Sequence, residues 1–230
     1  MISAIFNWSG GKDSSLSLYS VLRDKEYDVR YLLTSVNKEY QRVSMHGVRL
    51  ALLRAQAENI GITLRLLELP LEYDMEFYDA MMKTMLGEYR EEGITCSIFG
   101  DIFLEDLRQY REDQLAKVNM KGIFPIWKIP TTRLADDFIN AGFKSVIVCV
   151  DERYLDQSFS GREFDRQFLA DLPANVDPCG ENGEFHTFVY DGPIFKQPVI
   201  FKHGETVYRK YESAHNTIQT GFWYRDLIPS

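Results

Sequence analysis

A glycine-rich segment near the start of the chain carries residue types that bind anions. Ser9–Ser14, the glycine loop, reads Ser-Gly-Gly-Lys-Asp-Ser and separates the apolar run Ile2–Trp8 from a helix-like segment. Glycines let the backbone approach a ligand closely, a helix N-terminus offers unpaired N–H groups, and Lys12 adds a positive charge. The loop is not a Walker A motif, because Phe6 stands where that motif needs its first glycine. The loop therefore predicts an anion site of a different kind.

A second candidate site lies in the late segment Cys179–Pro193. An Asn-Gly pair in this segment is a strong signal for a two-residue hairpin turn. Such a turn places Glu181 opposite Glu184, where like charges repel, and this favours a bound cation, a basic substrate or a shared proton. Glu184 and His186 then share one face of the following strand. The alternative from the residues alone is an exposed hairpin with two solvated glutamates and a surface histidine.

Other polar residues allow more than one interpretation. Asp101 follows an apolar run and is a candidate to contact Mg²⁺ or a substrate amine, or else to form a turn. Asp13 either caps the helix that follows the glycine loop or helps to hold Mg²⁺. We interpret Arg111 as part of a salt-bridged helix surface. Cys179 lies beside the glutamates without a second nearby sulfur, which disfavours a role in sulfur transfer.

The elements that must position these residues follow from the apolar pattern. The predicted strands are Ile2–Trp8, Val29–Val36, Thr63–Leu69, Ile94–Phe99, Gly122–Phe124 and Lys144–Val150. The predicted helices are Ser14–Arg23, His46–Ile60, Asp74–Glu91, Leu104–Val118 and Leu134–Asn140. This alternation predicts an α/β fold for residues 1–150, an open parallel sheet with helices on both faces. Residues 151–230 are richer in Pro, Gly and alternating apolar residues, which predicts a smaller, strand-rich C-terminal region.

Composition limits the kinds of partner. The 230 residues carry 26 Lys and Arg against 34 Asp and Glu, a net charge of −8, and the pI is near 5.1. A general nucleic-acid binder usually has the opposite sign, so nucleic acid is not an expected partner. Three scattered cysteines fit a reducing compartment. No apolar run reaches the ~18 residues of a membrane span, and the N-terminus lacks a secretory pattern, so we expect a cytoplasmic protein with no membrane partner.

The glycine loop and the late segment together resemble one family. The loop is similar to the pyrophosphate-binding loop of the ATP pyrophosphatases, or PP-loop enzymes. Together with Gly-Glu-Asn-Gly-Glu-Phe at residues 180–185, it makes the chain resemble the diphthine–ammonia ligase family of ATP-binding proteins. Smaller matches lie at Ser44–His46, Gln56–Ile62, Gly100–Ile102, Arg108–Glu112 and Pro125–Trp127. The resemblance implies a Rossmann-like fold of the adenine nucleotide alpha hydrolase type.

The resemblance also implies an activity and roles for residues. Such an enzyme adenylates a carboxylate with ATP and Mg²⁺, releases pyrophosphate and forms an amide with ammonia. The ATP-binding candidates are Ser9, Gly10, Gly11, Lys12, Asp13, Ser14, Leu33, Thr34, Ser35 and His46. The catalytic candidates are Lys12, Asp101, Glu181, Glu184 and His186. The Mg²⁺ candidates are Asp13 and Asp101. The glycine loop would hold the β and γ phosphates, the end of the second strand would meet the adenine, and the late segment would handle substrate or ammonia.

The acceptor and two competing functions stay open at this stage. In the diphthamide branch the acceptor is diphthine on elongation factor 2, and the late segment reads Gly-Glu-Gly-Gly-Glu-Phe-Glu-Thr. Here Asn182 replaces a Gly and His186 replaces a Glu, both in the expected substrate region. A chain from an organism without diphthamide would need a different acceptor, such as a small cobalamin-pathway acid. A tRNA-thiolating enzyme would show a basic surface and paired cysteines, and a non-catalytic ATP or AMP sensor would form no AMP.

Overall fold

A computed structural model describes residues 1–43, 47–213 and 216–230. Its strands are β1 Ile2–Asn7, β2 Tyr27–Asn37, β3 Arg42–Val43, β4 Thr63–Leu69, β5 Cys96–Ile98, β6 Lys121–Ile123, β7 Lys144–Asp151, β8 Phe185–Asp191, β9 Phe201–Ser213 and β10 Asn216–Pro229. Its α-helices are α1 Lys12–Asp24, α2 Leu50–Ile60, α3 Met75–Glu91, α4 Glu105–Ala116, α5 Thr131–Asn140 and α6 Arg166–Asp171. The strands of the described residues form two sheets.

The first sheet is the open parallel sheet that the sequence predicted, and the α/β class is confirmed. Its parallel strands run in the order β4–β2–β1–β5–β6, and the short β3 pairs antiparallel with β2. Ala4, Ile5 and Phe6 of β1 are fully buried. A central parallel strand is covered on both faces, which explains why the first apolar run shows no polar alternation.

The strand order creates a crevice beside β1. From β1 the chain builds outward through β2 and β4 on one side, and then returns to add β5 and β6 on the other. Open α/β sheets bind ligands outside the carboxyl ends of their strands, at the point where the order reverses. Here that point lies between β1 and β5, where the glycine loop follows β1 and Asp101 follows β5.

The second sheet corrects one sequence expectation. Its strands run in the order β8–β7–β10–β9, and all its pairs are antiparallel. The run Lys144–Val150 was expected as the sixth strand of the parallel sheet, but as β7 it lies between β8 and β10. After its first residue β7 is entirely buried. A short apolar run indicates a buried strand but does not reveal which sheet buries it.

The end of α2 agrees with the sequence better than its start. The helix begins at Leu50 rather than at His46, which lies outside the described residues. Gly61 closes it in a left-handed conformation with φ of +84°, and its N–H donates to the carbonyl of Ala57 over 2.8 Å. This is the C-terminal glycine that the sequence predicted.

Candidate functional site

A cavity of about 470 Å³ lies at the carboxyl ends of β1, β2 and β5, and residues 179–187 form its opposite wall. The predicted site residues that line it are Ser9, Gly11, Lys12, Asp13, Ser14, Leu33, Thr34, Ser35, Asp101, Glu181 and His186. Gly10 and Glu184 do not line it. The structure thus brings most of the candidate residues to one place, and their individual roles stay predictions.

The glycine loop presents the N-terminus of α1 to the cavity. Gly10 has a φ of +78°, a conformation that glycine adopts without strain, and Gly11 is the N-cap of α1 without a side-chain cap. The hydroxyls of Ser9 and Ser14 lie 3.0 Å apart, and Ser14 Oγ also donates to the Gly11 carbonyl over 2.9 Å. The Gly11 N–H donates to Ser9 Oγ and the Lys12 N–H donates to Thr187 Oγ1. The loop therefore presents the positive end of α1 to the cavity, which favours an anion.

A buried glutamine, which the sequence analysis did not select as a site residue, holds the glycine loop from behind. Gln56 of α2 accepts a hydrogen bond from Trp8 Nε1 over 3.0 Å and donates to the carbonyls of Gly10 and Val189. The Val189 N–H also donates to the Gly10 carbonyl over 2.9 Å. Gln56 therefore ties the loop to β8 of the second sheet. The available signal was a polar residue beside Leu52 and Leu53 on the apolar face of a helix.

Lys12 is buried in an ion pair. Its Nζ lies 2.7 and 2.8 Å from the two carboxylate oxygens of Asp13 and donates to the carbonyl of Cys179. The ring centres of Phe164 and Phe185 lie within 6 Å of the same nitrogen. Burial is the largest single influence and lowers the pKa of Lys12, but attraction by Asp13, Cys179 and Glu181 together with the hydrogen bond to Asp13 holds the pKa above its ordinary value. Lys12 therefore stays charged at the floor of the cavity.

The acidic loop, Asp177–Glu184, is not the predicted hairpin. Glu184 is fully buried. Its carboxylate accepts hydrogen bonds from the N–H of Asp177, the N–H of Asn182 and the Asn182 side chain, over 2.8–3.0 Å. Strand structure begins only after it, at Phe185. The expectation that Glu181 and Glu184 face each other across a turn is wrong, because the Glu184 carboxylate is the internal hydrogen-bond centre of this loop.

Glu181 and His186 face the cavity. Glu181 Oε1 accepts weak hydrogen bonds from the N–H groups of Ile102 and Phe103, at 3.3 and 3.4 Å. Burial, and then repulsion by Asp13, raises the pKa of Glu181 to about 7. A carboxyl group with such a pKa can accept and release a proton near neutrality.

Asp101 forms an ion pair with a residue that sequence reasoning had placed on the surface. Arg111 of α4 lies 2.6 Å from the Asp101 carboxylate through its Nε, and its guanidinium stacks 4.4 Å from the ring centre of Phe99. The interpretation of Arg111 as salt-bridged is correct, but the residue lines the cavity. Other lining residues that the sequence analysis did not select are Asn7, Trp8, Tyr78, Met82 and Phe99. Their positions depend on tertiary packing of β1, β5 and α3.

The carboxylates near the cavity can supply only part of the ligand set that Mg²⁺ needs. Asp13 and Asp101, the two candidates, are each paired with a cation, Lys12 and Arg111 respectively. Among the residues that the structure describes, no group of three or more His, Cys, Asp or Glu side chains could hold a metal ion. Mg²⁺ commonly binds through one or two carboxylates plus substrate phosphates, and this donor set fits that mode.

The three cysteines lie in the interior of the protein. Cys96, Cys149 and Cys179 are all buried and free. Burial is the main cause that raises the pKa of Cys179 to about 12, although its neighbour Lys12 opposes the shift. A thiol with so high a pKa is a poor nucleophile at neutral pH. The site therefore lacks the activated sulfur that thiolation chemistry would use within the described residues.

We searched the helices in the described part of the chain for a membrane span. None of its helices combines the length and the apolar character needed to span a membrane.

Two family models match consecutive parts of the chain. The diphthamide synthase N-terminal domain matches residues 2–122, and the diphthamide synthase C-terminal domain matches residues 130–219. The curated relatives are named diphthine–ammonia ligases. The Danio rerio protein is 26% identical over 132 residues, which cover 54% of this chain and 51% of that protein. The Bos taurus protein is 26% identical over 133 residues, covering 55% and 48%.

These relatives are longer than the matched part. The chain spans about half the length of the Danio rerio and Bos taurus relatives, and the match to the Schizosaccharomyces pombe protein covers 16% of it at 24% identity. Among solved structures, a U34-tRNA thiolase NcsA from Methanococcus maripaludis with its [4Fe-4S] cluster aligns with a TM-score of 0.36 and 16% identity, over 60% of this chain and 56% of that chain. A similarity this low supports no conclusion about the chain.

The family assignment rests on the sequence models. The N-terminal model includes the glycine loop, and the C-terminal model includes the acidic loop, so both halves of the cavity fall within matched regions. The resemblance to diphthine–ammonia ligases is thereby confirmed, and the chain belongs to the diphthamide synthase family.

Proposed function

We propose that this chain is an ATP-dependent amide ligase that adenylates a carboxylate, with AMP and pyrophosphate as products, and amidates it with ammonia. The observation that carries the proposal is the single cavity that holds the glycine loop on one side and Glu181 on the other. In this proposal residues 1–150 bind ATP and residues 151–230 supply the substrate side of the site. Family membership and the relatives named diphthine–ammonia ligases support it.

The glycine loop would hold the β and γ phosphates. The hydroxyls of Ser9 and Ser14 lie at the positive end of α1, a phosphate there would replace Ser9 Oγ as acceptor of the Gly11 N–H, and Gly10 shapes the loop. Lys12 already carries a charge there, and an arriving phosphate would compete with Asp13 for it. Positive charge at this end stabilises the pyrophosphate leaving group, which gains charge in the transition state.

The end of β2 would form the adenine side. Leu33, Thr34 and Ser35 line the cavity. The Leu33 carbonyl accepts from the Trp8 N–H over 2.8 Å, and Thr34 Oγ1 donates to the Trp8 carbonyl over 2.6 Å. These bonds fix the wall against β1 before any nucleotide binds. Asp13 and Asp101 would hold Mg²⁺, which would screen the phosphate charge when bound.

The chemistry then proceeds in two displacements. A carboxylate oxygen of the acceptor attacks the α-phosphorus of ATP, and the bond to the bridging oxygen breaks, so that pyrophosphate leaves with the bonding pair. Ammonia next attacks the acyl carbon and AMP leaves. The nitrogen must lose one proton, and Glu181, with its pKa of about 7, or His186 on the same wall can accept it. Glu184 would act indirectly by shaping the acidic loop that carries Glu181.

The acceptor would be diphthine on elongation factor 2 where an organism makes it, and otherwise a small carboxylic acid. Asn182 and His186 differ from the family segment as it reads in the diphthamide branch. His186 lines the cavity, so this difference would act on whatever substrate lies against that wall. The buried, high-pKa Cys179 gives no support to a tRNA-thiolating enzyme.

Thermal unfolding with and without Mg-ATP tests the nucleotide site. ATP at ~100 times its dissociation constant should stabilise the protein by about 2.7 kcal/mol, roughly a 5–11 °C rise in the unfolding midpoint for a chain of this size. Lys12→Ala should reduce the rise, while Lys83→Ala, an exposed lysine on α3, should keep it. Because Lys12→Ala leaves Asp13 unpaired, Lys12→Gln combined with Asp13→Asn provides a variant without an unpaired charge.

Product analysis then tests the reaction. The protein is incubated with Mg-ATP, ammonium chloride and a mixture of carboxylic acids, and nucleotides and phosphates are separated. AMP with pyrophosphate supports the ligase, and ADP with phosphate contradicts it. ATP binding without turnover in the presence of a metabolite extract would favour the sensor function instead.

A further inference from the structure

Strand β8 of the second sheet runs beside the glycine loop and reaches the cavity at the start of α1. The Val189 N–H donates to the Gly10 carbonyl over 2.9 Å, and the Lys12 N–H donates to Thr187 Oγ1 over 3.0 Å. Thr187 is only 3% exposed, and it lines the cavity. The roles proposed above assign the phosphates of ATP to the first sheet and leave this threonine without a function.

The hydroxyl of Thr187 uses only part of its hydrogen-bonding capacity. A threonine hydroxyl carries one O–H donor and two acceptor lone pairs. Thr187 Oγ1 accepts from the Lys12 N–H, and its own proton has no acceptor among the residues that the structure describes. The proton is therefore available to whatever fills the cavity, which is water in the free protein or a ligand oxygen in a complex.

The surroundings of this donor favour a negatively charged oxygen. Lys12 carries a positive charge beside it, and the N-terminus of α1 adds a partial positive charge. Asp13 is the acidic group next to Lys12, and the two are paired. Gly11 gives α1 no side-chain cap, so Thr187 caps the helix from a distant strand. A hydroxyl that accepts one hydrogen bond becomes a better donor in the next, and an oxyanion gains most from such a donor.

We propose that Thr187 is a phosphate-binding residue whose hydroxyl accepts from the Lys12 N–H and donates to a β- or γ-phosphate oxygen of ATP. The identification of the anion as the phosphates of ATP rests on the proposed function. The second sheet then contributes to the nucleotide site as well as to the substrate side of the cavity. Because β8 begins directly after the acidic loop, a phosphate held by both the glycine loop and Thr187 connects ATP binding to the strand that follows Glu184.

A purely structural role for Thr187 makes a different prediction. If the hydroxyl only caps α1, its removal frees the Lys12 N–H, and an arriving phosphate can accept from that group instead. Phosphate binding would then stay unchanged or become tighter. If the hydroxyl donates to the phosphate, its removal weakens binding. Thr187→Val separates the two roles, because valine has nearly the shape of threonine but carries no hydroxyl.

Calorimetric titrations of the whole protein with magnesium pyrophosphate, Mg-ATP and AMP test the assignment. Thr187→Val should weaken pyrophosphate and ATP by about tenfold or more, as expected for a hydrogen bond to a charged group. AMP has no β or γ phosphate, so its affinity should stay unchanged. Thr187→Ser keeps the hydroxyl and should restore the binding of pyrophosphate and ATP.

A matched control and a second measurement complete the experiment. Ser145→Ala removes a buried hydroxyl from β7 that does not line the cavity, and it should leave all three affinities unchanged. Thermal unfolding shows whether each variant is folded. Should Thr187→Val fold poorly, the wild type labelled at its threonine methyl groups replaces it in NMR titrations. The Thr187 methyl resonance should then shift with magnesium pyrophosphate and not with adenosine, and the absence of a shift at saturating pyrophosphate would overturn the assignment.

The outcomes separate the assignment of Thr187 from the proposed function. Weaker pyrophosphate and ATP binding in Thr187→Val, restored in Thr187→Ser, supports the assignment even if product analysis finds no AMP, in which case the ligase function alone fails. Unchanged or tighter binding by Thr187→Val would overturn the assignment and leave the function standing. So would an equal loss of AMP affinity, because the substitution would then have disturbed the whole cavity. A wild-type protein that binds neither pyrophosphate nor ATP would contradict both.

Discussion

The glycine loop and the acidic loop form opposite walls of one cavity, but they are held in different ways. The glycine loop is fixed from outside, by Gln56 and by the Val189 N–H on the carbonyl of Gly10. The acidic loop is fixed mainly from inside, by the buried carboxylate of Glu184 and by the carboxylate of Asp177, which accepts from the Cys179 N–H over 2.8 Å. External support leaves the N-terminal end of α1 facing the cavity. Internal support uses the carboxylates of Glu184 and Asp177 and leaves Glu181 to face the cavity.

The difference indicates which residue each loop depends on. A loop held by its neighbours tolerates changes in its own side chains but not a change that pushes the neighbours away. A loop held by its own side chains depends on those side chains, and here chiefly on Glu184, which is fully buried. Three substitutions test this contrast, and the glutamate inside the acidic loop should have the largest effect.

Glu184→Ala should lower the free energy of unfolding by about 3 kcal/mol, because two backbone N–H groups and the Asn182 amide lose a charged acceptor. Urea unfolding measures the change. The control is Glu205→Ala, an exposed glutamate on β9, which should stay within about 0.5 kcal/mol of the wild type. A loss below about 1 kcal/mol for Glu184→Ala would mean that the acidic loop is held by something else.

Gly10→Ala should lower the free energy of unfolding by about 2–3 kcal/mol. The new Cβ would meet Gln56 Oε1 at 2.7 Å, and the φ of +78° would be strained. Gly93→Ala is matched for backbone conformation, with a φ of +84° and no atom within 4 Å of the added Cβ. It should therefore cost only about 1 kcal/mol. If chemical denaturation gives the same loss of unfolding free energy for both variants, Gln56 moves aside at no energetic cost and does not hold the loop.

Glu181→Gln should change the pH dependence of stability rather than its maximum. The pKa of Glu181 is raised from 4.5 to about 7, mainly by burial. Below the unfolded pKa the carboxyl is protonated in both states. As the pH rises through this window the unfolded chain releases the proton first, so the stability of the wild type falls. Unfolding midpoints at pH 5 and pH 8 should show the variant gaining about 1 kcal/mol relative to the wild type at pH 8. If the free energies of unfolding of the variant and the wild type change in parallel with pH, the pKa of Glu181 is not raised.

Local signals in the sequence predicted the fold class and one wall of the site. The glycine loop, the apolar runs and the glycine after α2 act within a few residues of each other, so their structural consequences can be inferred without tertiary information. The position of Asp101 at the ligand edge also follows from its place directly after a predicted strand of a parallel sheet. These features define the carboxyl edge of the parallel sheet.

The remaining features depend on side-chain contacts that the local sequence pattern does not encode. An Asn-Gly pair predicts a hairpin, but in the acidic loop the Glu184 carboxylate binds the backbone instead and the predicted facing of the glutamates is lost. Arg111 looks like a surface arginine until α4 packs beside Phe99. β7 is apolar whichever sheet contains it. For Arg111 and β7 the deciding partner lies outside the sequence window in which the signal was sought. In the acidic loop the partner is only two residues from Asn182, but it acts through a side chain that the turn pattern does not describe.

The hydrogen bond from the Lys12 N–H to Thr187 Oγ1, over 3.0 Å, joins positions 175 residues apart. Such a contact forms only after the intervening chain has ordered, because the entropy of closing so long a loop must be overcome first. During synthesis the glycine loop therefore emerges long before the strand that completes it. Nucleotide binding should consequently appear only at the last stage of folding. In a refolding time course, the moment at which a nucleotide begins to protect the protein would show when the two sheets dock.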